Sequence, residues 1–212
     1  MIRFLAIVLL VFGVAPAVFA QAVEPIAVPA PIVAAPATVR VALNTSEGTI
    51  VLALEKQRAP VTTAYFLRYV DQKRLDGTNF YRANRLDAAG KYGLIQGGVL
   101  SDPKRLLPPV AHEPTSTTGL THSDGTISLA RLAPGTATAN FFIVVGDLPA
   151  LDAAPAGTKG DPGFAAFGRV VEGMDVVHRI MAAPTSPTAG DGAMKGQMIA
   201  VPVKIKSVRR VN

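Results

Sequence analysis

Thr78-Asn79-Phe80-Tyr81-Arg82, Leu94-Ile95-Gln96-Gly97-Gly98-Val99 and Asn140-Phe141-Phe142-Ile143-Val144-Val145 are the runs on which the fold turns. Each is short, rich in aromatic and β-branched residues, and set off by turn residues, which marks strands rather than helices. The pattern recurs at 126–132, at 164–171 and at 200–211, where Val201, Val203, Ile205 and Val208 are the apolar positions. Upstream, Val39, Val41 and Leu43 alternate, as do Ile50, Leu52 and Leu54 beyond the turn residues 44–48. That alternation predicts a hairpin of half-buried strands. Only two stretches carry helical spacing. Pro60 opens one, with Ala64, Leu67 and Val70 as its apolar stripe and an end by Asp76-Gly77; residues 174–181 form the other. Many short strands with two helices predict a mainly β chain, closed into a barrel or stacked as a sandwich.

The folded part begins near Thr38, and two segments of different character precede it. Arg3 is followed by an apolar run over 4–14 and then by small residues that end Val18-Phe19-Ala20 before Gln21. One positive charge, a short apolar core and a small-residue ending predict a secretory signal peptide over 1–20. The competing reading is an uncleaved membrane anchor, because a span needs about 20 apolar residues and this run approaches that. Pro16 and the small residues near Ala20 favour cleavage. Residues 21–37 are dominated by Ala, Val and Pro, with prolines at 25, 29, 31 and 36. Such a segment forms no helix and reads as an extended linker. The expected organisation is a signal peptide at 1–20, a linker at 21–37 and a folded domain at 38–212. The expected destination is the periplasm or the exterior, with no membrane span after cleavage.

The net charge of +6 is spread along the chain, with no basic run longer than Arg209-Arg210. Nucleic-acid binding asks for a clustered patch with aromatic partners, so no nucleic acid is expected. Cysteine is absent, which removes disulfides, thiolate metal sites and thiol nucleophiles. His112, His122 and His178 are the only histidines, and they fit no zinc spacing. His122-Ser123-Asp124 looks like a hydrolase cluster only superficially. A relay is assembled from distant segments, and this run reads as a solvated turn. Neither a metal nor a cofactor is expected.

Four segments read together carry a family resemblance. Phe80-Tyr81-Arg82, Ile95-Gln96-Gly97-Gly98, Gly125-Thr126-Ile127-Ser128-Leu129-Ala130 and Asn140-Phe141-Phe142-Ile143 follow one another in the order and approximate spacing of the cyclophilins. Residues 164–175 resemble the family's near-terminal strand and helix start, and Ala59-Pro60-Val61 the opening of its first helix. The similarity spans about 39–211. It implies a closed eight-stranded antiparallel β-barrel capped by two α-helices, with the active site on its outer face. It also implies a peptidyl-prolyl cis–trans isomerase, acting on proline-containing unfolded or partly folded polypeptides and assisting the folding of exported proteins. A monomer is expected. The alternative is a catalytically weak chaperone module that binds proline-containing peptides on the same fold.

By the same resemblance, Arg82 is the catalytic arginine, and Gln96 steadies the guanidinium or the substrate carbonyl. Leu94, Phe142, Leu151 and Phe164 line a pocket for the proline ring, with Phe80 nearby. Ala130 and the backbone of Arg131 hold the substrate's main chain, and Asn140 completes the set where a glutamine is usual. Gly97 and Gly98 read as backbone devices, for a bulge or a close approach. Several positions depart from the pattern. Tyr81 stands where histidine is frequent, Gly93 where a pocket phenylalanine is expected, and Ala150 where an aromatic is usual. The interval from Arg82 to Gln96 is long. A shallower pocket is expected, unless Tyr92 or residues 153–162 refill it.

Overall fold

The computed structural model describes residues 38–100, 102–155 and 159–212. The expected signal peptide and linker lie outside the described residues. Eight strands follow in chain order: β1 Thr38–Thr45, β2 Thr49–Glu55, β3 Thr78–Arg85, β4 Gly93–Gly98, β5 Thr126–Leu129, β6 Asn140–Val145, β7 Ala165–Glu172 and β8 Met198–Val211. Around the ring the order is β1-β2-β7-β5-β6-β4-β3-β8, and β8 pairs back onto β1. Every pairing is antiparallel. The structure is therefore a closed barrel and not a sandwich, and closure leaves no strand edge open for pairing with another chain.

Strand alternation fills the interior. Val41 and Leu43, Ile50, Leu52 and Leu54, Ile127 and Leu129, and Phe141, Ile143 and Val145 are all buried in one core. The helices are α1 Pro60–Asp71, the single turn α2 Thr115–Thr118, and α3 Met174–Met181. From α1, Phe66 packs against Phe141 and Phe167, with ring centres 5.5 and 5.1 Å apart. From α3, Val176, Val177, Ile180 and Met181 join the same core. Pro60 starts α1 at no hydrogen-bonding cost, and the Glu113 carboxylate accepts from the free N–H groups of Val61 (3.1 Å) and Thr62 (2.5 Å). A carboxylate there also favours the positive end of the helix dipole.

Several boundaries differ from expectation. The strand expected over 126–132 stops at Leu129, since the last rung of the ladder is Leu129 against Phe141. The last strand starts earlier, at Met198. Arg209 and Arg210 are bonded to the carboxylates of Asp76 and Asp71 at 2.7 Å each. No described helix is long and apolar enough to cross a membrane.

Candidate active site

Pairing register puts the chemistry on one row. Arg82 of β3 faces Gln96 of β4, Gln96 faces Phe142 of β6, and Phe142 faces Ser128 of β5. Neighbouring strands lie about 4.8 Å apart, so the guanidinium-bearing strand is about 10 Å from the strand carrying Phe142. All four side chains project outward, because their strand neighbours Ile95, Phe141, Ile143, Ile127 and Leu129 point into the core.

Arg82 reaches that face through a bulge. The register of β3 shifts between Phe80 and Arg82: against β4 Tyr81 is an extra residue, while against β8 the extra residues lie on β8. Without the bulge, Phe80 and Arg82 would share a face. With it, Phe80 points inward and Arg82 outward. Phe80, expected beside the proline pocket, is fully buried in the barrel, 5.7 Å from the Phe141 ring. That expectation is corrected: Phe80 is core. Gly97 permits the packing, since a Cβ there would lie 2.9 Å from the Phe80 ring.

The guanidinium is held from two sides. Arg82 donates from Nη1 to Gln96 Oε1 at 2.7 Å and from Nε to Gln197 Oε1 at 2.8 Å. Gln96 Nε2 donates in turn to the Tyr81 hydroxyl at 2.8 Å, which sets the amide with its oxygen toward Arg82. Burial pushes the Tyr81 phenol up to about 12, so it stays a neutral partner. Burial also lowers the Arg82 pKa, yet a guanidinium keeps its charge in proteins. Its Nη2 donors make no hydrogen bond among the described residues and remain available.

Beside this clamp lies an apolar cluster separate from the core. Leu94, Phe142 and Val144 form it, and Ala130, Leu148, Leu151 and Phe164 pack against it. Phe142 meets Phe164 edge-on, with ring centres 5.3 Å apart. Four expected pocket residues are thus brought together, and Val144 and Leu148 are added. Val144 was legible as the same-face neighbour of Phe142 two residues on. Gln197 was not, because nothing local marks a glutamine that meets Arg82 across 115 positions of chain. A cavity of about 390 Å³ lies elsewhere, lined by Glu55, Arg58, Thr121, Ser123, Thr126 and Arg169 among others. Those polar walls do not suit a proline ring.

The remaining expected residues are placed as follows. The side-chain carbonyl of Asn140 accepts from the Leu100 N–H at 2.9 Å, and its amide donates to the Leu100 carbonyl at 3.5 Å. It therefore braces the turn after β4. The Arg131 side chain folds onto Phe164, 4.8 Å from the ring centre. Gly93 has no room for a side chain, because a Cβ would lie 2.1 Å from both the Asn84 carbonyl and Met181 Cε. Tyr92 rests against Gly146 and is 44% exposed, outside the apolar cluster. Ala150 is exposed, within a 3₁₀ turn over Pro149–Leu151.

His122 corrects the solvated-turn reading, since only 1% of it is exposed. Its Nδ1 lies 2.6 Å from Asp152 Oδ1 and its Nε2 3.0 Å from Ser128 Oγ. The order is that of a hydrolytic relay, assembled from separate segments. Ser128 is fully buried on the row beside Phe142, so no substrate carbonyl reaches it. The trio is a support, and the His122 ring stacks under Phe142 at 6.0 Å and 17°.

Burial holds the His122 pKa below the ordinary value of about 6.5, outweighing the opposite pull of Asp152. The unfolded chain therefore binds the proton more readily. This histidine contributes stability above about pH 6.5 and loses it as pH falls through the lowered native value. Asp71, Asp76 and Asp175 are also held low, by Arg210, Arg209 and Arg179, but they act below about pH 4. Denaturant unfolding is expected to show stability falling between pH 7 and pH 5, and His122→Asn is expected to flatten that slope. An unchanged slope in the variant would remove the assignment.

Fold and site together define a class: a closed antiparallel barrel with an immobilised guanidinium and an apolar recess side by side on its outer wall. Comparison with known proteins narrows it. The family described as cyclophilin type peptidyl-prolyl cis-trans isomerase/CLD matches residues 39–210. Peptidyl-prolyl cis-trans isomerase A of Dickeya dadantii is 39% identical over 153 residues, covering 71% of this chain and 75% of that protein. A peptidyl-prolyl cis-trans isomerase of Acinetobacter baylyi is 35% identical, covering 82% and 86%. A crystal structure of a cyclophilin type isomerase of Cryptosporidium parvum superposes with a TM-score of 0.63 at 18% identity, over 83% of this chain and 99% of that one. It attests the fold. The chain belongs to the cyclophilin-type peptidyl-prolyl cis–trans isomerases.

Proposed function

We propose that this isomerase acts on X–Pro bonds of exported polypeptides in the periplasm or outside the cell, as a monomer, and assists their folding. Arg82 is the catalytic residue in this reading. The amide C–N bond resists rotation by about 18–20 kcal/mol because its nitrogen is conjugated. At the twisted midpoint that conjugation is gone, and the nitrogen carries a basic lone pair. A fixed cation with free N–H donors interacts more strongly with that state than with either planar form, which lowers the barrier without making or breaking a bond.

Gln96 orients the guanidinium, and Gln197 does so from the other side. Leu94, Phe142, Leu151 and Phe164 take the proline ring, and Ala130 and Arg131 flank the bound main chain. Asn140 shapes the adjoining turn. The observation that carries the reading is the shared row: the clamped Arg82 and the recess at Phe142 are separated by one strand. A relative from Cryptosporidium parvum has been crystallised in the presence of the dipeptide Ala-Pro, the chemistry expected here.

Export rests on residues 1–20. Expression of the full chain in a Gram-negative host, with fractionation and N-terminal sequencing, is expected to yield a periplasmic or secreted protein beginning near Gln21. Retention in the cytoplasm with Met1 intact would overturn it.

A further inference from the structure

We propose that the Arg131 side chain is a positioning residue for the proline recess, clasping the two loops that flank it and holding Phe164 in place. The proposal rests on the reading that this recess receives the proline. Arg131 lies in the 130–139 loop between β5 and β6. The segment it grips, 161–164, closes the 146–164 loop between β6 and β7.

All three nitrogens of the fork are engaged. Nε donates to the Gly163 carbonyl at 2.8 Å, and Nη2 bonds the same carbonyl. Nη2 also donates to Asp161 Oδ1 at 3.0 Å, and Nη1 to the Leu132 carbonyl at 3.0 Å. The guanidinium lies over the Phe164 ring, in the arrangement by which a cation is drawn to an aromatic face. Only 8% of the Arg131 side chain is exposed, against 77% for Asp161. The arginine is therefore built into the wall, while the ion pair is its outer fringe.

What the clasp holds is the recess itself. Phe164 leans edge-on against Phe142, and its own loop secures it through the Phe164 N–H to Leu151 carbonyl bond and the Ala154 N–H to Asp161 carbonyl bond, both 2.9 Å. Arg131 adds the tie to the opposite loop. With four of its five donors on protein groups and its side chain 8% exposed, it acts through Phe164. Lysine cannot replace it, because one ammonium cannot lie flat on the ring and serve Gly163, Asp161 and Leu132 together.

The test measures kcat and KM for an Ala-Pro peptide, with Tm, on wild type, Arg131→Asn, Arg131→Lys and Asp161→Asn. The Asn variant is expected to raise KM about tenfold with kcat within about twofold, the Lys variant to recover little, and Asp161→Asn to stay near wild type. A KM unchanged in Arg131→Asn, or a loss confined to kcat, would overturn the clasp. So would equal losses in Asp161→Asn, which would assign the effect to the surface ion pair. If wild type itself gave no acceleration, the catalytic reading of Arg82 would fail separately. Affinity for the same peptide, titrated by NMR, then decides the clasp: about tenfold weaker binding in Arg131→Asn supports it, and equal binding overturns it.

Discussion

Arg82→Ala is expected to lower kcat/KM for an Ala-Pro peptide by about 100-fold or more, with the barrel still folded. Removing one donor aimed at charge that develops in a transition state costs about 2.7–4 kcal/mol in other enzymes, or about 10²–10³ in rate. The alanine takes away such donors together with the cation. It also leaves the Gln96 and Gln197 carbonyl oxygens without their guanidinium partner, but at a half-buried surface position where water can serve them. Because the donors act on the twisted amide, the loss should fall mainly on kcat. Arg82→Lys keeps the charge and loses the planar fork, so it should recover only a minor part. Magnetisation-exchange NMR on the peptide reads these rates directly. A variant within about threefold of wild type would mean that the guanidinium does no catalysis.

Phe142→Ala carries the second large effect, and it falls on binding and stability together. The ring is 3% exposed, stacks on His122, meets Phe164 edge-on and clusters with Leu94 and Val144. Truncating a buried phenylalanine typically costs about 3–5 kcal/mol, through lost transfer energy and the cavity left behind. It also removes the floor on which Phe164 rests, so KM should rise by about tenfold or more. Phe142→Leu separates the two effects, since it refills part of the volume and keeps more of the stability. Urea unfolding and peptide KM, measured on both variants, check the assignment. A folded leucine variant with wild-type KM would show that the proline ring binds elsewhere.

Much of the fold could be read from local pattern. The strand Asn140–Val145 and the helix Met174–Met181 lie where an aromatic, β-branched run and helical spacing put them. Phe141 and Phe142 separate onto opposite faces as strand parity requires, one in the core and one in the outer cluster. Arg82 and Gln96 were singled out by motif, and they do meet. Phe80 was expected near the pocket by resemblance, and nothing in the sequence announces the bulge at Tyr81 that leaves it in the core. His122 was read through its neighbours Ser123 and Asp124, whereas its partners are Ser128 and the distant Asp152.

Periodicity and turn residues determined that this chain is strand-rich, and the order of its motifs carried the resemblance to the cyclophilins, with Arg82 as the expected catalytic residue. Those signals are local, because side-chain direction repeats every two residues in a strand and about every 3.6 in a helix. Only the folded barrel decided which way Arg82 points, that Gln197 steadies it, and that Arg131 grips Phe164. Those outcomes depend on inter-strand register and on loops meeting across the closed sheet, and one residue of slip reverses every face.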